Sequence, residues 1–191
     1  MTTQLFQNIN KTVSLSEEEY EQFYSYTQII KLKRKEFLLS EGDICKHIYF
    51  VSKGCLRYFY LVDGQEHTGQ FFFENNWYTD LESFLTGKPS RQNIEALEST
   101  QIITISKDSL EKLYILNPKF ERFGRLMAER AFIGIKQRTE MLTNQNAEER
   151  YINLIRERPK VIERIPQHYI ASYIGIQPQS LSRIRKKLGN Y

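Results

Sequence analysis

The chain has 191 residues, 40% of them hydrophobic and 26% charged, with a formal net charge of +4 and two cysteines. That size suits a globular protein of one large or two small domains with a real core. No basic-then-apolar leader and no long apolar run occur, so a cytoplasmic protein with no membrane association and with reduced Cys45 and Cys55 is expected, and two thiols cannot ligate a four-thiolate cluster.

In chain order, "SLSEEEYEQFYSY" places Ser14 or Ser16 three residues before a glutamate, a capping-box start to a short helix. From about residue 28 to 106 the texture is short β-rich runs. Their turns fall at Glu41-Gly42-Asp43, Lys53-Gly54 and Asp63-Gly64, about ten residues apart. Evenly spaced strands with such turns predict an antiparallel roll or barrel. "WYTDLESFLTGKPSRQ" interrupts it with a short helix and a polar loop, and "IEALESTQIITIS" resumes strand character.

Asp108 starts a short helix and Asn117-Pro118 another. Residues 118 to about 143 contain no proline after Pro118 itself, and their apolar residues (Phe120, Phe123, Leu126, Phe132, Ile135, Leu142 among them) occupy more than one face. One face covers the roll, and the excess calls for a partner helix, so a dimer is expected. "TNQNAEER" breaks the pattern as a hinge near 143–147, and Ala147 to Arg156 opens a helical domain.

The chain closes with "IPQHYIASYIGIQPQSLSRIRKKLGNY". Ile170, Ala171 and Ile174 recur at helical spacing, as do Leu181, Ile184 and Leu188, with Gly175-Ile176-Gln177 between them and Pro178 suited to a first helical turn. This reads as helix, tight turn, helix. Residues 150–191 hold nine Lys and Arg against two Asp and Glu, a net +7, whereas residues 1–149 hold 18 against 21, a net −3. Basic charge confined to a helix-turn-helix points to nucleic acid. Gln179, Ser180, Ser182 and Arg183 lie early in the second helix, where side chains reach base edges; Arg183 suits guanine and Gln179 adenine. Arg185, Lys186 and Lys187 suit phosphate.

"EGD" at 41–43, "IYFVSKGCLRYFY" at 48–60, "AEERY" at 147–151 and "IPQHYIASYIGIQPQSLSRIRKKL" at 165–188 together resemble the Crp/Fnr superfamily of bacterial transcription regulators, over nearly the whole chain. The expected fold class is therefore α+β. An N-terminal helix and an antiparallel β-roll like the cyclic-nucleotide-binding fold span 1–117. A long dimerisation helix and hinge span 118–146, and a C-terminal winged-type helix-turn-helix domain spans 147–191. The resemblance implies a homodimer on an inverted repeat of double-stranded DNA, RNA polymerase as a further partner, and a base-reading role for Arg183. Gln179 stands where many members carry a glutamate and Pro178 where some carry an arginine, so no operator sequence transfers.

Relatives that bind cyclic nucleotides grip ribose and phosphate with a Gly-Glu pair and an Arg-Ser or Arg-Thr pair. Here "YTDLESFLTGKPSRQNIEA" has Thr79-Asp80 for the first, and Arg91 is followed by Gln92. Asp80 and Arg91 are thus the candidate effector-binding residues for a small molecule of unknown identity, without the glycine that a phosphate-holding turn favours. The competing reading is a cupin-like small-molecule-binding protein or enzyme whose C-terminal helices only pack. His47, His67 and His168 form no metal-binding or catalytic motif. No catalytic residue, metal or cofactor is expected.

Overall fold

A computed structural model describes residues 3–189. Two helices open the chain, α1 (Thr3–Asn10) and α2 (Glu17–Ser25). Of the two candidate caps, Ser16 is the one used: its Oγ accepts from the Glu19 N–H at 3.1 Å, and Glu19 Oε2 accepts from the Ser16 N–H at 2.8 Å. Lys119 Nζ lies 2.7 Å from the same carboxylate and, with the Ser16 N–H and Asn117, holds it at about 2, below the ordinary 4.5. α1 buries only Leu5 and Ile9, too short a repeat for periodicity to single out.

Eight short strands follow among the described residues, in two four-stranded sheets. The first has the order β1 (Thr27–Leu32), β8 (Thr100–Ser106), β3 (His47–Lys53), β6 (Trp77–Tyr78), every pair antiparallel. The second has the order β2 (Phe37–Leu39), β7 (Asn93–Ala96), β4 (Leu56–Val62), β5 (Gln65–Phe72). The expected turns lie between strands. Asp63 and Gly64 both take positive φ, 50° and 74°, as a two-residue hairpin turn of type I′ requires. Gly54 at φ 93° is fixed twice over, because a Cβ there would stand 2.7 Å from the Thr100 Cα.

Phe50, Val51, Leu56, Ile94, Ala96 and Ile102 are fully buried between these sheets' strands and helices. So is one ion pair. Arg57, wholly buried on β4, donates from Nε and Nη2 to Glu95 Oε1 on β7 at 2.9 and 2.6 Å. Such a pair contributes little net stability over apolar residues of the same shape, but losing one partner strands the other charge.

Helix α3 (Leu81–Thr86) sits in the predicted interruption. α4 (Lys107–Leu116) begins one residue before Asp108, with Ser106 as its cap. α5 (Pro118–Asn144) is 27 residues long, about 40 Å at 1.5 Å per residue. Its first turns bury Phe120 and Phe123, whose rings lie 5.6 and 6.4 Å from that of Phe23, with Trp77 5.4 Å from Phe123. After α5 come α6 (Ala147–Glu157), α7 (Pro159–Arg164), α8 (Gln167–Ile174) and α9 (Pro178–Lys187). The wing of the expected winged-type domain is not formed: no strand lies within or after α6–α9 among the described residues.

The chain divides into two compact units. One is Met1–Arg57 with Phe72–Ala131, and the other Tyr58–Phe71 with Phe132–Tyr191. Most of the β4–β5 hairpin thus groups with the C-terminal helices. Cys45 and Cys55 are free and buried. No helix among the described residues is long and apolar enough to cross a membrane.

Replacing Glu95 by Ala should destabilise the protein by about 3–5 kcal/mol, because Arg57 stays buried without its carboxylate. Urea unfolding of the variant beside wild type measures this.

Candidate nucleic-acid interface

The turn between α8 and α9 is built by its own sequence. Gly175 caps α8 in the left-handed region, φ 76°, and the Ile176 N–H reaches back to the Ala171 carbonyl at 3.0 Å. Gln177 stands at the start of α9, and Pro178 takes its first turn, where a missing N–H costs nothing. Ile170, Ala171, Ile174 and Leu181 are buried beneath the pair, together with Tyr151, Leu154, Val161 and Ile165. Ile170, Ala171, Ile174 and Leu181 are therefore core, Ile184 and Leu188 are half-buried, and most polar positions of α9 face out.

α9 sorts its predicted residues into two groups. Gln179, Ser182, Arg183 and Lys186, spaced as one helical face, are exposed, and Lys187 adjoins them. Ser180 and Arg185 are half-buried at its edges. Arg183 and Lys186 make no ion pair among the described residues. Lys187 does: its Nζ lies 3.0 and 2.7 Å from the two carboxylate oxygens of Glu148 on α6.

α8 is fixed by residues that sequence reading did not single out. Ser172 Oγ donates to the Glu66 carbonyl at 2.8 Å and accepts from the buried Thr68 N–H at 2.9 Å, so one hydroxyl satisfies two backbone groups of the β4–β5 hairpin. Arg158 donates to the Phe71 carbonyl at 2.8 Å and to Gln70 Oε1. The Phe71 and Tyr173 rings lie 5.4 Å apart. From α5, the Arg138 guanidinium lies 3.8 Å above the Tyr173 ring and donates to the Tyr173 carbonyl. Burial holds Arg138 below its ordinary value. From α6, Arg150 Nε donates to the Ile174 carbonyl at 2.8 Å. Two arginines thus take the last carbonyls of α8, where cations suit the helix terminus. Only their places on otherwise polar helix positions marked these arginines in the sequence, and that signal does not separate them from solvated charges.

Residues 145 and 146, in the expected hinge, are bonded to α6. Asn146 caps α6 through a capping box with Glu149, and the Gln145 side chain accepts from Asn153 at 3.1 Å while its carbonyl accepts from Arg150.

Asp80 is buried, and its carboxylate caps α3 at the Ser83 N–H, 3.4 Å, and accepts from Ser90 Oγ at 2.6 Å. Arg91 is exposed. The Asp80 oxygens are thus engaged within the fold. Among the described residues, no group of three or more His, Cys, Asp or Glu is placed to hold a metal ion.

The cyclic nucleotide-binding domain family matches residues 29–117. Over 164 residues the chain is 24% identical to the transcriptional activator protein FnrA of Stutzerimonas stutzeri, spanning 80% of this chain and 67% of that protein. Among solved structures it is similar to FixK2 from Bradyrhizobium japonicum, with 19% identity, 85% and 84% of the two chains covered and a TM-score of 0.75. It is also similar to the catabolite activator protein of Thermus thermophilus, with 19% identity, 95% and 86% covered and a TM-score of 0.61. At these identities the solved structures establish the fold.

Ser172→Ala should leave the Thr68 N–H without its acceptor, so exchange of that amide should accelerate by about tenfold or more. Hydrogen exchange followed by NMR reads it directly, with amides of α1 unchanged as the control.

Proposed function

We propose that this chain belongs to the Crp/Fnr superfamily, as its likeness to that family's members supports, and is a sequence-specific DNA-binding regulator of transcription that acts as a homodimer on an inverted repeat. The observation that carries the reading is the exposed face of α9. It offers two hydrogen-bonding polar residues, one arginine and one lysine on a helix whose opposite side is core. That is the chemistry a recognition helix needs: Arg183 pairs with guanine, Gln179 and Ser182 reach neighbouring base edges, and Lys186 holds phosphate. Ser180 and Arg185 sit too deep to lead, and Lys187 reaches phosphate only by leaving Glu148.

The dimer is read from α5. Ala128, Phe132, Ile135, Thr139 and Leu142 recur at alternating spacings of four and three along one stripe. Phe132 and Ile135 are 70% and 61% exposed in the single chain. A second α5 covers such a stripe as a short coiled-coil seam. Two recognition helices about 34 Å apart then meet successive major grooves. RNA polymerase is the protein partner in this reading. With Asp80 engaged within the fold, no cyclic nucleotide is assigned to the roll.

Selection of genomic DNA fragments by the purified protein should return an inverted repeat. Arg183→Ala should relax preference at one base pair per half-site by about 1–3 kcal/mol, whereas Lys186→Ala should weaken all sequences alike. Recovery of the same sequence by the Arg183 variant would remove it from base reading. Separately, Ile135→Asp should convert the dimer to monomer in sedimentation velocity, and a wild type that sediments as a monomer would reject the seam.

A further inference from the structure

The reading above leaves one contact of α9 without a purpose. Lys187, in the last turn of that helix, lays its ammonium 2.7 and 3.0 Å from the two carboxylate oxygens of Glu148 on α6. The two residues lie 39 positions apart, unlike the i,i+4 pairs Arg125–Glu129 and Lys136–Glu140 that α5 makes within itself. The Lys187 side chain is 69% exposed, and an ion pair in such a place contributes little to stability. Its effect falls instead on what else Lys187 can bind.

Glu148 is the fixed member of the pair. Its side chain is only 33% exposed. It stands in the first turn of α6, where negative charge suits a helix N-terminus. The neighbouring Glu149 turns an oxygen back to the Asn146 N–H and completes the cap, so the turn is held without Glu148. Glu148 is thereby left for a cation. The one it takes belongs to a run of three at the end of α9, Arg185, Lys186 and Lys187. A carboxylate offers an ammonium what a phosphate offers it, negative charge on more than one acceptor oxygen.

We infer that Glu148 is a built-in phosphate mimic that withholds Lys187 from DNA and so limits sequence-independent binding by α9; the inference rests on the proposed DNA-binding role of that helix. The withholding is selective. Arg183 and Lys186 make no ion pair among the described residues, so the base-reading arginine and one phosphate-holding lysine stay in play. Phosphate contacts add affinity on any sequence, whereas base contacts add it on one. Withholding one of the former lowers binding to the excess of unrelated DNA and leaves the base-reading side chains as they are.

The test is the salt dependence of binding by the full chain to a mixed-sequence duplex of about 30 base pairs, three helical turns. Glu148→Gln keeps the shape of the side chain and removes its charge. It should steepen the slope of log affinity against log salt by roughly 0.9 for each lysine set free, and raise affinity in moderate salt by about threefold or more. Lys187→Gln should reverse both changes in the Glu148→Gln background and matter much less in the wild type, a coupling that independent residues do not show. Urea unfolding of Glu148→Gln should stay close to that of the wild type, so the slope reads binding and not folding. An unchanged slope and affinity in Glu148→Gln, while Arg183→Ala still alters sequence preference, overturns the restraint and leaves the α9 reading intact. Higher affinity at an unchanged slope overturns it too, because Lys187 then already meets phosphate in the wild type. A wild type that binds no DNA at any salt removes both.

Discussion

The amide of Thr68 is buried on the β4–β5 hairpin, and a buried N–H must find an acceptor or cost free energy comparable to a missing hydrogen bond. Its acceptor is not a strand but the hydroxyl of Ser172, on the first helix of the helix-turn-helix. That one requirement organises the C-terminal half of the molecule. Ser172 anchors α8 to the hairpin, Tyr173 beside it meets Phe71 and Arg138, and the Ile174 carbonyl one residue on is taken by Arg150. Three successive residues of α8 thus fix its position against β5, α5 and α6. Because α9 follows α8 by a two-bond glycine cap, the exposed face carrying Arg183 inherits that orientation.

The same geometry changes how the basic charge is understood. A net +7 over residues 150–191 suggests an extended cationic surface, yet much of it is already committed. Arg150 and Arg158 are bonded to backbone carbonyls, Arg156 pairs with Glu157, and Lys187 pairs with Glu148. On the exposed face of α9 that leaves Arg183 and Lys186 as the cations with no such engagement among the described residues. The module is less a basic cloud than a small, oriented set of donors, a form better suited to discrimination between sequences than to bulk attraction.

What the sequence disclosed follows from which signals are local. Gly175 and Pro178 enforce their backbone by covalent geometry, so the helix-turn-helix was readable from letters alone, as were Asp63-Gly64 and the Ser16–Glu19 cap. Arg57–Glu95 and Ser172–Thr68 join residues 38 and 104 positions apart, and no periodicity marks such partners. Asp80 was legible in part: an aspartate directly before a helix is a cap before it is a ligand. The resemblance drew attention to its other role, and the structure spends its oxygens on Ser83 and Ser90. The wing was carried over from the resemblance alone, without strand-forming residues of its own among those described. α7 escaped notice because six residues after Arg158 hold too little repeat to register.

Cys45 and Cys55 are each 1% exposed, and both belong to the unit that contains α1, β1 and β8. A thiol reagent can reach them only when that unit opens, and a native molecule should be nearly silent to it. The two sulfurs are therefore a built-in gauge: where reclosing outpaces labelling, their modification rate reports the population of the open form of this unit and ignores fraying of the C-terminal helices, which contain no cysteine. Labelled at its own two cysteines, the chain reports the opening of this one unit separately from that of the other.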